Sequence, residues 1–260
     1  MQSVETKAWE QQRARLWEAL KRDEFELYCQ PIVPFARPGD WQMAEVLIRL
    51  RQEERALLPP GEFLPAFEHF GMMPQLDSWV LRRVISHHLA GSKARQFSIN
   101  VSGQTLEHAG FVKLFADLAS SSGVKPASVL FEIEESDILA RQQEAERFAA
   151  AIHAAGGRIV VDGFGSRSIS FALLKALQAD YVKVDGAVTR RVAHDESCAL
   201  KLKSIRRAAQ MLGIGVIAEC VESSEVLARL EAIGIGFAQG YGICRPRPIE
   251  ELPLRELAVA

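Results

Sequence analysis

Short apolar runs recur along the chain, and each is separated from the next by a segment whose apolar residues follow a different spacing. The runs are apolar at nearly consecutive positions, which is typical of strands that are buried on both faces of a parallel sheet. The predicted strands are 27–33, 44–50, 97–102, 128–136, 158–162, 181–185 and 215–219, and 237–243 is predicted as a last strand and turn.

The intervening segments place apolar residues three and four positions apart, which predicts helices. These predicted helices are 62–70, 75–89, 104–121, 141–157, 169–177, 196–213 and 224–234. About eight strand–helix units in one chain predict an α/β fold, a TIM-like (β/α)₈ barrel. A doubly wound open sheet is the alternative, but GIGFAQG at 234–240 lacks the glycine spacing of a dinucleotide-binding turn.

The first unit of the predicted barrel is irregular. The segment PFARPGDWQ (34–42) leaves no room for a helix between the first two strands, so an antiparallel first strand pair is expected. Ahead of it, residues 5–24 have the pattern of an amphipathic helix, which either closes one end of the barrel or once joined an upstream sensor domain. We therefore divide the chain into an N-terminal helix, 1–24, and a barrel domain, 25–260.

The composition restricts the classes of binding partner and the cellular compartments that are expected for the protein. The 31 basic and 33 acidic residues give a net charge of −2, which argues against a nucleic-acid or membrane-surface partner. Cys29, Cys198, Cys220 and Cys244 form no C-x-x-C pair and fit buried thiols in a reducing compartment. The apolar stretch 208–218 is about half the length of a membrane span, and the first residues do not resemble a signal peptide. A cytoplasmic location with no membrane span is expected.

Polar residues mark the ends of the predicted strands. They are Glu45, Asn100, Glu132, Asp162, Lys183, Asp185, Glu219 and Gln239. In a parallel barrel the carboxyl ends of the strands meet at one face, where active sites lie. One acid after a strand is often a solvated loop residue or a helix cap. The whole set at successive strands instead indicates a shared site.

Carboxylates gathered at one mouth repel each other, and a divalent cation relieves that repulsion. Oxygen ligands from Glu, Asp and Asn suit Mg²⁺, Mn²⁺ or Ca²⁺ rather than zinc. Two such cations are a common device for cleaving phosphodiesters. Lys183 could then hold the attacking water or neutralise charge on the phosphate.

Eight short motifs in order, from about Leu27 to Pro248, resemble the EAL domains, which bind or hydrolyse cyclic di-GMP in bacteria. The motifs are QPIV (30–33), EVLIR (45–49), LPPGEFLPAFEHFGMM (58–73), NVS (100–102), EIEES (132–136), KVD (183–185), AECVE (218–222) and QGY (239–241). The family's own forms of three of them are E-A-L, E-I-T-E-S and A-E-G-V-E. The resemblance implies the barrel with an antiparallel first pair.

The resemblance also implies roles for individual residues. Lys183 would position the attacking water, Glu135 would brace the loop after the aspartate pair, and Glu219 would hold a second metal that Asp162 bridges. The implied ligands of the first metal, Mg²⁺ or Mn²⁺, are Glu45, Asn100, Glu132 and Asp162. The implied nucleotide-binding residues are Gln30, Leu47, Arg49, Asp185, Glu222, Gln239 and Gly240.

Three positions depart from the family pattern. Active members carry D-D-F-G, whereas this chain has Asp162-Gly163-Phe164-Gly165, so the second metal would rely on Asp162 and Glu219 alone. Arg167 stands where a small residue is expected, and Cys220 replaces a glycine. The resemblance therefore implies one well-held ion and an impaired second site.

Three functions follow from this pattern. The first is a cyclic di-GMP receptor or effector with impaired or absent hydrolysis. The second is an active Mg²⁺- or Mn²⁺-dependent phosphodiesterase that produces pGpG. The third is a protein-interaction module with a vestigial pocket. A downstream protein and a second copy of the chain are further candidate partners.

Overall fold

Ten strands form one sheet, and eight of them close into a barrel in a computed structural model that describes residues 2–36, 43–52, 56–89, 96–166 and 170–252. The strands are β1 (Phe25–Pro34), β2 (Met43–Gln52), β3 (Ala56–Leu58), β4 (Gln96–Val101), β5 (Val129–Glu134), β6 (Arg158–Phe164), β7 (Tyr181–Val184), β8 (Gly215–Ala218), β9 (Phe237–Ala238) and β10 (Arg247–Pro248). Strands β3 and β10 lie outside the ring, where β3 pairs with β2 and β10 pairs with β1.

The ring closes because β1 pairs on both sides, with β2 and with β9. Both of these pairings are antiparallel, whereas β2, β4 and the strands from β5 to β9 pair in parallel. This topology confirms the TIM-like barrel with an antiparallel first strand pair. It also excludes the open-sheet alternative, since in an open sheet β1 and β9 would not pair with each other.

Helices surround the barrel and connect its strands. They are α1 (Gln2–Lys21), α2 (Pro60–His69), α3 (Met73–Arg83), α4 (Gly103–Leu106), α5 (Ala109–Ser122), α6 (Glu135–Ala140), α7 (Gln142–Ala154), α8 (Phe171–Ala176), α9 (Gly186–Thr189), α10 (Glu196–Leu212) and α11 (Ser224–Ile233). Among the helices of the described ranges, none is both long enough and apolar enough to cross a membrane.

Three predicted elements differ from the structure. The predicted helix 75–89 is α-helical only to Arg83 and continues as a π-helix, Val84–Leu89. The predicted helix 104–121 is two helices, because Ser102 caps α4 and a new helix begins at Ala109. The predicted strand 128–136 ends at Glu134, and Glu135 begins α6 instead.

Helix α1 packs against the barrel through one face. Leu16 and Ala19 are buried in a cluster that contains Phe25 at the start of β1 and Phe63 and Phe67 of α2. The rings of Phe25 and Phe63 lie 5.6 Å apart, within the range of favourable aromatic pairs. The helix is therefore joined to the barrel by a hydrophobic contact.

Strand β5 shows how one strand serves both the core and the barrel mouth. Phe131 is fully buried and meets the rings of Phe111, Phe115 and Phe148 on the surrounding helices. Neighbouring side chains of a strand point to opposite faces, so Glu132 points into the barrel instead. Packing on the outer face therefore fixes the position of an acid on the inner face.

Replacing Phe131 with alanine is expected to lower the free energy of unfolding by about 3–5 kcal/mol, because it removes a buried ring and leaves a cavity. The matched control is Met211→Ala at a side chain that is 82% exposed, with an expected change within about 0.5 kcal/mol. Urea unfolding monitored by circular dichroism measures both. Equal losses in the two variants would contradict this packing.

Candidate active site inside the barrel

The ammonium group of Lys183 lies among four carboxylates inside the barrel. Its Nζ atom is 2.9 Å from Glu45 Oε2, 2.9 Å from Glu132 Oε2, 2.9 Å from Glu219 Oε1 and 3.7 Å from Asp162 Oδ1. The side chains of Lys183 and Glu132 are 1% and 0% exposed, whereas Asp162 and Glu219 are about one-fifth exposed. The cluster therefore runs from the barrel interior to its mouth.

The strands bring these residues together from distant parts of the sequence. Glu132 and Asp162 are each the third residue from the end of their strand, Lys183 is next to last in β7, and Glu219 directly follows β8. Glu45 differs from the expectation that it lies at a strand end, because it is the third residue of the ten-residue β2. Strand β2 continues past the barrel to pair with β3 and with the start of β1.

Asn100 and two glutamines extend the cluster around Glu45. Asn100 Nδ2 donates to Glu45 Oε1 at 3.0 Å, and Gln239 Nε2 donates to Glu45 Oε2 at 2.8 Å. Gln239 Nε2 also lies 3.2 Å from Gln30 Oε1, and Gln30 Nε2 donates to the carbonyl of Cys244 at 2.8 Å. This chain of bonds links Glu45 to β1 and to the segment that follows β9.

The carboxylates respond differently to burial beside one ammonium. Burial raises the pKa of Glu132 to about 8 and that of Glu219 to about 7, although the positive charge of Lys183 acts against both shifts. Burial would also raise the pKa of Glu45, but Lys183, Asn100 and Gln239 stabilise its charged form and hold its pKa below the usual value. The pKa of Lys183 is well above its usual value, because the carboxylates outweigh the effect of burial.

The charge and donor types of the cluster fit a hard divalent cation. Four carboxylates face one ammonium, and Glu132 Oε1 is buried with no hydrogen-bond partner among the described residues. Carboxylate and amide oxygens are the ligands that Mg²⁺ and Mn²⁺ prefer. Within the described ranges, no three His, Cys, Asp or Glu side chains are arranged to hold a metal ion. The Lys183 ammonium lies at the point that the carboxylates share.

Glu135, the first residue of α6, connects this helix to the loop after β6. It is fully buried, and its Oε2 atom accepts a hydrogen bond of 3.0 Å from Ser166 Oγ. This contact fixes the loop that follows Asp162 and Gly163. Arg167 was expected to alter the same loop, but residues 167–169 lie outside the described residues.

The remaining residues expected to bind the nucleotide contact parts of the protein other than the acidic cluster. Leu47 is half-buried on β2, Arg49 lies over the ring of Tyr28 at 5.4 Å, and Glu222 is exposed. Asp185 caps α9 by accepting a bond of 2.7 Å from Ala187 N. These contacts do not join the acidic cluster.

Backbone geometry explains two positions near the site. A Cβ atom on Gly240 would lie 2.2 Å from Val221 N, so only glycine allows these segments to approach each other. Cys220, where the resembling family has glycine, has a φ of 53°. A left-handed conformation costs a residue with a Cβ roughly 1–2 kcal/mol, which is a physical reason for glycine at this position.

Two residues near the site were not predicted to take part in it. Glu134 was not singled out, yet a Cβ atom on Gly163 would lie 2.6 Å from its Oε1 atom. The two-residue spacing from Glu132 was the available signal, because alternate residues of a strand share a face. Asp77 was not singled out, yet its Oδ2 accepts bonds from Ser102 and Thr105 just after Asn100. Its position on a distant helix left no local signal.

Comparison with known proteins connects this geometry to a family. A family model described as the EAL domain matches residues 13–246, a range that begins within α1. The chain is 33% identical over 238 residues to the cyclic di-GMP phosphodiesterase PdeB of Shewanella oneidensis, covering 90% of this chain and 28% of that protein. It is 31% identical over 252 residues to the cyclic di-GMP phosphodiesterase PdeF of Escherichia coli, covering 94% and 33%. The chain thus spans about a third or less of these relatives.

Solved structures show the same fold. The structure described as the PaMucR phosphodiesterase in complex with c-di-GMP matches with a TM-score of 0.85 at 28% identity, covering 94% of this chain and 100% of that one. The FimX EAL domain from Pseudomonas aeruginosa bound to c-di-GMP matches with a TM-score of 0.84 at 26% identity, covering 90% and 96%.

Replacing Lys183 with methionine is expected to destabilise the fold by about 3–5 kcal/mol at pH 8, because buried carboxylates lose their counter-charge. A raised pKa in the folded state means that stability is present at low pH and is lost as the pH rises through that value. Since removing Lys183 raises the pKa values of Glu132 and Glu219 further, the loss is expected to be smaller at pH 5 than at pH 8.

Urea unfolding at both pH values, with a chelator present, tests this expectation. Lys113→Met is the matched control, since Lys113 forms an exposed pair with Asp117, and such pairs contribute roughly 0–1 kcal/mol. A loss that is the same at pH 5 and pH 8, or no larger than the loss in the control, would contradict the described electrostatics.

Proposed function

Because the chain belongs to the EAL domain family, we propose that it binds cyclic di-GMP at the barrel mouth as a receptor or effector with impaired or absent hydrolysis. The observation that carries this proposal is the cluster of four carboxylates around Lys183, with Gly163 beside it. We propose the same function for the complete protein and a cytoplasmic location for it. We also propose that the chain divides into an N-terminal helix, 1–24, and a barrel domain, 25–260.

A divalent cation, Mg²⁺ or Mn²⁺, belongs to the proposed site. The residues that would hold it are Glu45, Asn100, Glu132 and Asp162. When bound, such a cation neutralises the phosphates and polarises a phosphoryl oxygen. The excess of acidic groups over the single ammonium and the unpartnered Glu132 Oε1 support this assignment. Lys183, held by three contacts of 2.9 Å, would orient a water molecule or contact a phosphate.

Several residues around the cluster are proposed to contact the nucleotide. Gln239 is held in place by its bonds to Gln30 and Glu45, and Gln30 is held by its bond to the carbonyl of Cys244. The other proposed nucleotide-binding residues are Leu47, Arg49, Asp185, Glu222 and Gly240. Glu135 acts indirectly in this proposal, because it holds the loop after Asp162 through Ser166.

Hydrolysis is proposed to be impaired because glycine at position 163 offers no oxygen to a second cation. Losing one of two clamps on the reacting oxygens can raise the barrier by several kcal/mol, and about 1.4 kcal/mol corresponds to tenfold in rate. The second candidate function is an active phosphodiesterase that produces pGpG. The presence of Lys183 and Glu219 at 2.9 Å from each other supports it, as do the names of the relatives PdeB and PdeF.

Two further partners of the domain are proposed. A second copy of the chain is one candidate, since α10 exposes Leu200, Met211 and Leu212. A downstream protein that reads the nucleotide-bound state is the other. Nucleic acid is not a proposed partner, given the balance of charge.

Isothermal titration with cyclic di-GMP in the presence of Ca²⁺ tests the binding proposal, since Ca²⁺ takes oxygen ligands. We expect binding at micromolar concentration or below, and a loss of at least about tenfold in Glu45→Gln, which removes a ligand charge. The control is Glu62→Gln, an exposed glutamate on α2, with cyclic di-AMP as a control ligand. No heat with the natural chain at tens of micromolar nucleotide would refute the proposal.

Chromatography of cyclic di-GMP incubated with the protein and Mg²⁺ or Mn²⁺ separates the two candidate functions. A receptor is expected to leave the nucleotide intact over many minutes at equimolar protein, whereas an active enzyme converts an excess of it to pGpG. The same incubation with excess chelator and no added cation provides the inactive baseline. Rapid turnover that the chelator abolishes would favour the second candidate.

A further inference from the structure

The carboxylate of Asp77 on α3 holds the turn that follows β4. Its side chain is buried, and its Oδ2 atom accepts hydrogen bonds from Ser102 N at 3.0 Å, from Ser102 Oγ at 2.9 Å and from Thr105 Oγ1 at 2.6 Å. A buried carboxylate with several donors restrains all of them, because its loss would leave each donor unpaired. Asp77 therefore fixes the backbone beyond the end of β4 from a helix outside the sheet.

A second acid holds the next residue of the same turn. Asp137 Oδ2 on α6 accepts a hydrogen bond of 2.8 Å from Gly103 N. A Cβ atom on Gly103 would lie 2.5 Å from Asp137 Oδ1, so glycine allows the acid to approach the backbone this closely. Two consecutive backbone N–H groups are thus bound by carboxylates from two different helices, which restricts the movement of the turn.

Asn100 is the residue of the proposed site that lies closest in sequence to this turn. It is next to last in β4, two residues before Ser102. The pairing of β4 with β5 includes Asn100, but the pairing of β4 with β2 ends one residue earlier, at Ile99. The Asn100 side chain nevertheless reaches β2, where its Nδ2 atom donates to Glu45 Oε1 at 3.0 Å. Beyond the end of that ladder, the bonds to Asp77 restrain β4 in its place.

We infer that Asp77 is a positioning residue that keeps Asn100 in the orientation in which its side chain meets Glu45 at the proposed site. The hydrogen-bond partners of Asp77 are Ser102 and Thr105 rather than members of the acidic cluster. Asp77 thus acts through the turn and contacts neither the cation nor the nucleotide. This inference rests on the proposed function, because it concerns Asn100 of the same site.

Three replacements alter the bonds of the turn to different degrees. Asp77→Ala removes the acceptor of all three bonds. Asp77→Asn keeps an oxygen in the same position, and an amide oxygen accepts the same hydrogen bonds. Thr105→Val removes only the bond of 2.6 Å and nearly keeps the shape of the side chain, so it replaces Asp77→Ala in the test if that variant does not fold.

Asp180→Ala is the matched control, because Asp180 has a similar task at the opposite end of the barrel. Asp180 Oδ2 accepts a hydrogen bond of 2.8 Å from Ile159 N and lies 3.1 Å from His153 Nε2. Ile159 is the second residue of β6, whereas the proposed site lies towards the carboxyl ends of the strands. This variant is expected to lose stability in urea unfolding without any effect on Asn100.

The side-chain amide signal of Asn100 in ¹H–¹⁵N spectra reports its hydrogen bond, and Asn100→Asp identifies the signal by its disappearance. At pH 7, with a chelator and no nucleotide, the signal is expected to move in Asp77→Ala and to move less in Thr105→Val. It is expected to stay in place in Asp77→Asn and Asp180→Ala. Burial raises the pKa of Asp77 to about 6, so the natural carboxylate is charged at this pH. An unchanged signal in Asp77→Ala, or in Thr105→Val where it replaces that variant, overturns the inference.

Affinity for cyclic di-GMP in Ca²⁺, measured by calorimetry on the same variants, relates this signal to the proposed function. We expect a loss of about tenfold or more in Asp77→Ala, as for other groups that orient a metal ligand, and near-natural affinity in Asp77→Asn and Asp180→Ala. An equal loss in Asp180→Ala would attribute the effect to stability and overturn the inference. Absence of nucleotide binding in the natural chain contradicts the proposed function, while the Asn100 signal still decides the role of Asp77.

Discussion

The contact between Lys183 and its surrounding acids is the constraint on which the site depends. Burying ions is costly, and a buried charge without a partner destabilises a fold by several kcal/mol. Here one ammonium offsets four carboxylates contributed by β2, β5, β6 and the end of β8. The excess of acidic groups over the single ammonium leaves the cluster suited to further positive charge. A closed barrel is what holds these acids together against their repulsion, because each strand is fixed on its outer face by apolar packing.

Much of the fold could be predicted from the order of apolar runs, because parallel strands buried on both faces leave a strong pattern. The eight barrel strands lie within or around the predicted ranges, and the short link after β1 correctly indicated its antiparallel pairing. The edge strands β3 and β10 are too short to carry a pattern, and their pairing depends on neighbours distant in sequence. The π-helix after Arg83 likewise has no signal in the spacing of apolar residues.

The cluster of acids was also predictable, because strand ends in a barrel converge on one face. The sequence could not show how far along its strand each acid lies. Glu45 is early in β2 rather than at its end, because β2 extends beyond the ring, and it nevertheless contacts Lys183. The contact between Glu134 and Gly163 was equally hidden, since it depends on the register between β5 and β6.

The central claim is that the acids around Lys183 hold a divalent cation beneath a cyclic dinucleotide. A crystal structure of the domain grown with Mn²⁺ and cyclic di-GMP, with anomalous diffraction collected at the manganese edge, tests it most directly. An anomalous peak is expected within bonding distance of oxygens from Glu45, Asn100, Glu132 and Asp162, next to a phosphate of the nucleotide. Nucleotide bound elsewhere on the molecule, with no anomalous peak at these four residues, would contradict it.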